Sequence, residues 1–225
     1  MFATRMGFDI TGETEEAIRA LAPKLKSVSG ERIFEELKKA WTKGKADASV
    51  LIALLKKLNI GPTIFGADFN PIAVKLDHLK GEDKIIGMFV AFFLNGGNFN
   101  AMKPDAICIK MVELAKNVRN NPEPPHTFIG SLKDKLPILL NVFQDMGNSG
   151  VTRRVERMIE LPMTAKELDI KGDEIISILQ IVSPKDSKKI GIVQRLMLTA
   201  IWDSGLDNKH EALVKFCEEF KGSNA

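Results

Sequence analysis

The chain has 225 residues, 44% hydrophobic and 27% charged, enough apolar material for a packed core under a solvated surface. Its net charge is only +3, so any contact with nucleic acid must come from local basic patches rather than from the protein as a whole. The longest apolar run, near Ile85–Leu94, is broken by Gly87 and falls short of the roughly 20 residues that span a bilayer.

Acidic residues follow the start too closely for a signal peptide, so a cytoplasmic protein without a membrane partner is expected. Cys108 and Cys217 lie far apart, each in an apolar helical pattern, and read as two buried thiols in a reducing compartment.

Strand signals are nearly absent, and helical spacing runs throughout. Ile18, Leu21 and Leu25 follow an i, i+3, i+7 pattern after the turn at Thr11–Gly12, and Pro23 limits that helix. Ser29 can cap a second helix with Glu31 in its first turn, where the helix dipole favours a carboxylate; Ile33, Leu37 and Trp41 form its stripe. Asp47 can cap a third, with Leu51, Leu54, Leu55 and Leu58, ended by Gly61 and Pro62. Asn70–Pro71 can start a short helix through Leu79. Glu82–Leu94 reads as a core helix, and Asn95–Asn100 as a loop. Pro104 fits the first turn of a helix running through Ile109 and Leu114.

Asn120–His126, with three prolines, is the clearest break and a candidate linker. Beyond it come a helix near Ser131–Met146 and a helix carrying Arg153, Arg154 and Arg157. Thr164 and Glu167 have the spacing of a capping box. Asp173–Ile181 is helical, a basic loop holds Lys185, Lys188 and Lys189, and two helices cover Ile192–Ser204 and Asn208–Phe220. The expected fold is all-α: an elongated or curved array of about ten helices with no significant sheet.

The chemistry-bearing residues do not assemble a common catalytic centre. His78, His126 and His210 have no partner at metal-ligand spacing, and no glycine-rich phosphate loop follows a strand. Gly130–Asp134 faintly resembles a nucleotidyltransferase metal motif, but that chemistry needs two carboxylates two residues apart, and no Asp-x-Asp occurs. Three basic clusters remain: Lys38, Lys39, Lys43 and Lys45 around Trp41; Arg153, Arg154 and Arg157; and Lys185, Lys188 and Lys189. Each alone fits a solvated face. Together on a helical scaffold they fit phosphate contacts that position an RNA without reading its bases.

Two stretches carry a family resemblance. Phe2–Ile10 is followed by Val28-Ser-Gly-Glu31-Arg32-Ile33-Phe-Glu-Glu36-Leu37, which resembles the neck of bacterial-type tRNA nucleotidyltransferases, the CCA-adding enzymes and their poly(A) polymerase relatives: "RFAARLGF", then "SxERIxxEL". Ser49–Ile60 is similar to the family's next helix. Near the end, Pro162–Leu168 with Lys171–Leu179 resembles the tail phrase "PxTGKDLxxxGxxPGPxIGxxL", and Asn208–Phe216 the closing "NxREELLxWL". Ala165, Glu167 and Ser177 depart from it, where the family has glycine, aspartate and glycine. Residues 65–160 match only in being helical.

The resemblance implies a neck-like segment at 1–62, body helices at 63–121 and C-terminal body and tail helices at 122–225. The family's metal carboxylates and its EDxxR phrase would precede Met1. The chain is therefore expected to hold tRNA or another structured RNA for a catalytic head that it does not itself contain. Alone it would be inactive and without cofactor; Mg2+ and CTP or ATP are expected for the complete enzyme. The resemblance assigns Arg5, Arg32 and Glu36 to support of the nucleotide site. The RNA-backbone candidates are Arg153, Arg154, Arg157, Lys166, Lys171, Lys185, Lys188 and Lys189. CCA, A-only and poly(A) addition are not distinguished. The alternative, favoured by the near-neutral charge, is a non-catalytic helical protein-interaction module with no RNA role.

Overall fold

The computed structural model describes residues 3, 6–43, 48–121, 129–182 and 188–223. Among these there is no strand; eleven α-helices and four 3₁₀ turns account for the regular structure. The chain divides into two units, Met1–Asn120 with Lys135–Glu156, and Asn121–Asp134 with Arg157–Ala225.

In the first unit, α1 (Gly12–Leu21) buries none of its residues, and Pro23 turns it into a 3₁₀ stretch at Ala22–Ser27. Helix α2 (Gly30–Lys43) opens on Ser29, whose carbonyl accepts from the N–H groups of Arg32 and Ile33. It buries Phe34, Leu37, Ala40 and Trp41 on one face. Gly30 is required there: a Cβ would lie 2.2 Å from the carbonyl oxygen of Ala101.

Helix α3 (Ala48–Lys57) stops before Gly61–Pro62, which lie inside a short helix, α4 (Ile60–Phe65), rather than ending the one before. Proline is tolerated in that first turn because its missing N–H would have no partner in the helix. Asp47 lies outside the described residues.

Residues 66–80 are irregular, so the helix expected from Asn70 to Leu79 does not form. Pro71, Val74 and Leu76 are nonetheless buried, and Leu76 adopts φ +48°. The N–H groups of Lys75 and Leu76 donate to the Asp145 carboxylate instead of to a helix.

Helix α5 (Gly81–Phe93) is the centre of the unit, with every residue from Ile86 to Phe93 buried. It packs against α2, α6 (Ala106–Asn120) and α7 (Leu136–Asp145). Its phenylalanines meet aromatic neighbours edge-on: Phe89 with Phe34 at 5.6 Å, Phe92 with Trp41 at 5.0 Å and Phe93 with Phe65 at 5.4 Å. Such contacts add to simple area burial. Helix α8 (Ser149–Glu160) buries Val151, Val155 and Met158.

In the second unit, 3₁₀ turns at Gly130–Lys135 and Ala165–Glu167 precede α9 (Gly172–Leu179), α10 (Lys188–Ser204) and α11 (His210–Ser223). Their core is Leu168, Ile170, Ile175, Val193, Met197, Ile201, Leu213 and Cys217. Buried Trp202 donates its indole N–H to the Pro162 carbonyl at 2.9 Å.

Cys108 and Cys217 are free and buried. Burial, aided by Asp105, pushes the Cys108 thiol up to about 12; burial, aided by Glu174 and Glu218, pushes Cys217 up to about 11. No helix among the described residues is long and apolar enough to cross a membrane.

Candidate nucleic-acid interface

The first unit presents a groove of about 670 Å³ along one face of α2. Leu25, Val28, Ile33, Leu55, Ile60 and Ile64 give it aliphatic walls; Glu31, Arg32, Glu35, Glu36 and Lys39 line it as well. Arg32 and Glu36 lie one helical turn apart, a spacing that suits an ion pair. The structure pairs Glu36 with Lys39 at 2.7 Å instead, and Glu35 with Lys38. Glu31 accepts from Lys103 at 2.7 Å, and this bond, helped by its backbone N–H and by Ser29, holds its carboxyl below the usual range. Arg32 is exposed and, among the described residues, has no carboxylate within 4.0 Å. Arg5 lies outside the described residues.

On α8, Arg153 and Arg157 are exposed one turn apart, opposite the buried Val151, Val155 and Met158. Arg154 is half-buried and donates to the carbonyl of Arg119 at 3.4 Å, at the end of α6. The three arginines therefore do not form one set; Arg154 is engaged with backbone.

In the second unit the tail phrase is held by a run of hydrogen bonds. Glu167 accepts from Lys133, from the Thr164 hydroxyl at 3.0 Å and from the Met163 N–H at 3.3 Å. The capping-box carboxylate thus reaches one residue further back than the spacing implies, and Thr164 supplies no side-chain bond to the helix backbone. Desolvation raises the Glu167 pKa, but the bonds from Lys133, Thr164 and Met163 outweigh it and leave the carboxyl below its usual range. Asn208 donates to the Glu167 carbonyl at 3.0 Å and accepts from the Asp169 N–H at 3.1 Å. Asp169 in turn accepts from the His210 N–H at 3.0 Å, and the His210 ring meets Glu174 at 2.6 Å.

This scaffold carries Lys166 and Lys171 into a hollow of about 810 Å³, lined also by Asp169, Glu174, Gln194 and His210. A second hollow of about 480 Å³ shares Ala165 and Gln194 with it and adds Arg195. Lys166, Lys171 and Arg195 are exposed, and among the described residues none has a carboxylate within 4.0 Å. Asp169 and Glu174 are already engaged with His210. The hollows therefore offer three uncommitted cations on a fixed frame, an arrangement suited to phosphate oxygens. Lys188 and Lys189 are exposed at the start of α10, and Lys185 lies outside the described residues.

Sequence reasoning missed Arg195 and Gln194, which sit mid-helix without any motif, and Lys133, whose role depends on a partner 34 residues away. It also missed the His210–Glu174 pair, 36 residues apart.

Residues 7–65 match the family model described as "Probable RNA and SrmB- binding site of polymerase A". The chain is 27% identical over 233 residues to the CCA-adding enzyme of Leuconostoc mesenteroides subsp. mesenteroides, an alignment that covers 97% of this chain and 57% of that protein. The crystal structure of the Bacillus stearothermophilus CCA-adding enzyme in complex with CTP superposes with a TM-score of 0.59 at 16% identity, covering 99% of this chain and 60% of that one, a likeness of fold. The chain thus spans somewhat under two thirds of the relatives it matches. The chain is therefore similar to these CCA-adding enzymes along nearly its whole length, and residues 7–65 are similar to the segment that the polymerase A family model describes.

Proposed function

We propose that this chain is the RNA-holding portion of an RNA nucleotidyltransferase, binding tRNA and keeping its 3′ end at a catalytic head. The observation that carries the reading is the likeness to a CCA-adding enzyme along nearly the whole chain, begun by a segment whose family description is an RNA-binding site. The cation arrangement supports it: Lys166, Lys171, Arg153 and Arg157 are exposed and uncommitted among the described residues. Phosphate contacts of this kind fix register and orientation without reading sequence. Binding energy gathered far from the reacting atoms is then used to hold the 3′ end in place, lowering the entropic part of the barrier.

Arg5, Arg32 and Glu36 support the nucleotide side, and Lys185, Lys188 and Lys189 extend the RNA contacts. Mg2+ and the CTP or ATP belong with the head. Among the described residues, no group of three His, Cys, Asp or Glu side chains lies close enough to hold a metal ion.

A filter-binding titration of the isolated chain with unmodified tRNA tests the reading. Binding should be tolerant of tRNA sequence and weaken steeply with salt, with no nucleotide addition by the chain alone. Absence of tRNA binding even at low salt would overturn it.

A further inference from the structure

Asn95–Gly96 is the one Asn-Gly pair in the sequence. An asparagine before a glycine is open to attack by its own backbone, because the next nitrogen is shielded by no Cβ and the chain there bends freely. In the fold the pair follows Leu94, the residue that caps the end of α5, and Asn95 is exposed. Gly96 adopts φ +141°, in a turn that a side chain would strain. The Gly96 N–H donates to the Phe93 carbonyl at 3.4 Å, a long and weak bond that leaves its nitrogen loosely held.

Arg119, near the end of α6, reaches this turn from 24 residues away. Its guanidinium donates to Asn95 Oδ1 at 2.7 Å and to the Leu94 carbonyl at 3.2 Å. A guanidinium has donors and no acceptor, so the amide oxygen is the atom it holds and the amide nitrogen is not. The charge draws electrons away from Asn95 Cγ and stands ready beside any oxyanion that forms there.

We infer that Asn95 is a site of self-modification, at which the side-chain amide becomes a carboxylate through a cyclic imide while Arg119 stabilises the oxyanion. The Gly96 nitrogen gives its proton to hydroxide and bonds to Asn95 Cγ, and the negative charge passes to Oδ1 against Arg119. Collapse of this intermediate expels the side-chain nitrogen, which takes a proton from water and leaves as ammonia. Water then opens the ring at one of its two carbonyl carbons. Opening at Cγ restores the ordinary chain with aspartate at position 95. Opening at the backbone carbonyl leaves the chain running through the side chain, as isoaspartate.

The surroundings separate the two products. Aspartate sets a carboxylate against Arg119 and keeps the turn. Isoaspartate lengthens a backbone that is already crowded, since a Cβ on Gly96 would lie 2.5 Å from the Asp68 carbonyl oxygen. It therefore pulls on the Gly97 N–H, bonded to the Asp68 carboxylate at 3.1 Å, and on the Asn98 N–H, bonded to the Phe65 carbonyl at 2.6 Å. A slow chemical change is thus coupled to the anchoring of residues 65–68 beside the end of α5.

The test ages the full chain at mildly alkaline pH, folded and in denaturant, and follows Asn95 by peptide mapping with mass spectrometry. Isoaspartate is counted by labelled methyl transfer with a protein isoaspartyl methyltransferase. In the folded chain Asn95 should convert ahead of Asn148, which precedes Ser149. Arg119→Ala should slow the folded conversion by about tenfold, and Arg119→Gln, which keeps a neutral donor and more of the packing, should slow it too. In denaturant all three chains should convert alike. A variant of unchanged circular dichroism that ages as fast as the unaltered chain, or faster, would overturn the inference. So would an unaltered folded chain in which Asn148 converts and Asn95 stays an amide.

Discussion

The carboxylate of Asp145, at the end of α7, accepts the backbone N–H of Leu76 at 2.9 Å, and Leu76 sits fully buried in a left-handed conformation. The same oxygen accepts from Lys75 at 3.0 Å. An exposed aspartate thus fixes a turn whose side chain is in the core. Replacing Asp145 with Ala should destabilise the protein by about 1.5–3 kcal/mol, because two backbone donors lose a charged acceptor. Asp145→Asn keeps an acceptor and should cost less. Urea denaturation of both variants checks the order.

Gly30 and Gly12 make a matched pair. A Cβ on Gly30 would lie 2.2 Å from Ala101 O and 2.9 Å from Met102 Cα, backbone atoms that cannot turn aside, whereas one on Gly12 meets nothing within 4 Å. Gly30→Ala should lose about 1–3 kcal/mol. Gly12→Ala should be neutral or stabilise by up to about 1 kcal/mol. Thermal melts of the two variants decide it.

Glu167 gives the tail a pH signature. Its carboxyl is held below the ordinary value of 4.5, so the folded form favours the ionised group. That contribution is complete above the ordinary value and is lost as the pH falls through the lowered one. Glu167→Gln should therefore melt at lower temperature than the unaltered chain at pH 7, by an amount reflecting about 1 kcal/mol of charge-assisted hydrogen bonding. The gap should close as the pH is brought below 4. A gap that persisted unchanged in acid would refute the account.

The raised thiols of Cys108 and Cys217 predict chemical silence. At pH 8 both should react with an aromatic disulfide reagent about a hundredfold or more slowly in the folded chain than in denaturant. Reaction of either at the rate of a free thiol would show that it is not buried as described.

On the RNA side, Lys166→Ala and Lys171→Ala should each lower tRNA affinity by a few-fold at low salt, with little regard to tRNA sequence. Each should also flatten the plot of log affinity against log salt by about one unit, the counterion release of one lost phosphate contact. Arg154→Ala should change tRNA binding less than Arg153→Ala or Arg157→Ala, because Arg154 is committed to the Arg119 carbonyl.

What could be read from the sequence follows how far each cause reaches along the chain. The α5 core helix, the α2 stripe through Leu37 and Trp41, and the limit set by Pro23 all arise from neighbours within a turn or two, and the structure shows them where spacing puts them. The stretch 70–79 has helical apolar spacing too. Yet the N–H groups of Lys75 and Leu76 go to a carboxylate about seventy residues away, a cause no local pattern contains. The same holds at the candidate site. Lys166 and Lys171 stand within a recognisable phrase, whereas Arg195 and Lys133 are brought to it only by packing. The Arg32–Glu36 spacing was visible, but the choice of Lys39 as the partner of Glu36 was a competition among side chains on one helix face.

The two tryptophans fall one in each unit, and their surroundings differ. Trp41 is buried among phenylalanines with no acceptor for its indole N–H among the described residues, and Trp202 is bonded to the Pro162 carbonyl. Intrinsic fluorescence therefore comes as two separable signals. With Trp41→Phe or Trp202→Phe, the remaining emission reports the melting of one unit by itself, so the protein carries its own optical label for asking whether the two halves come apart together or in turn.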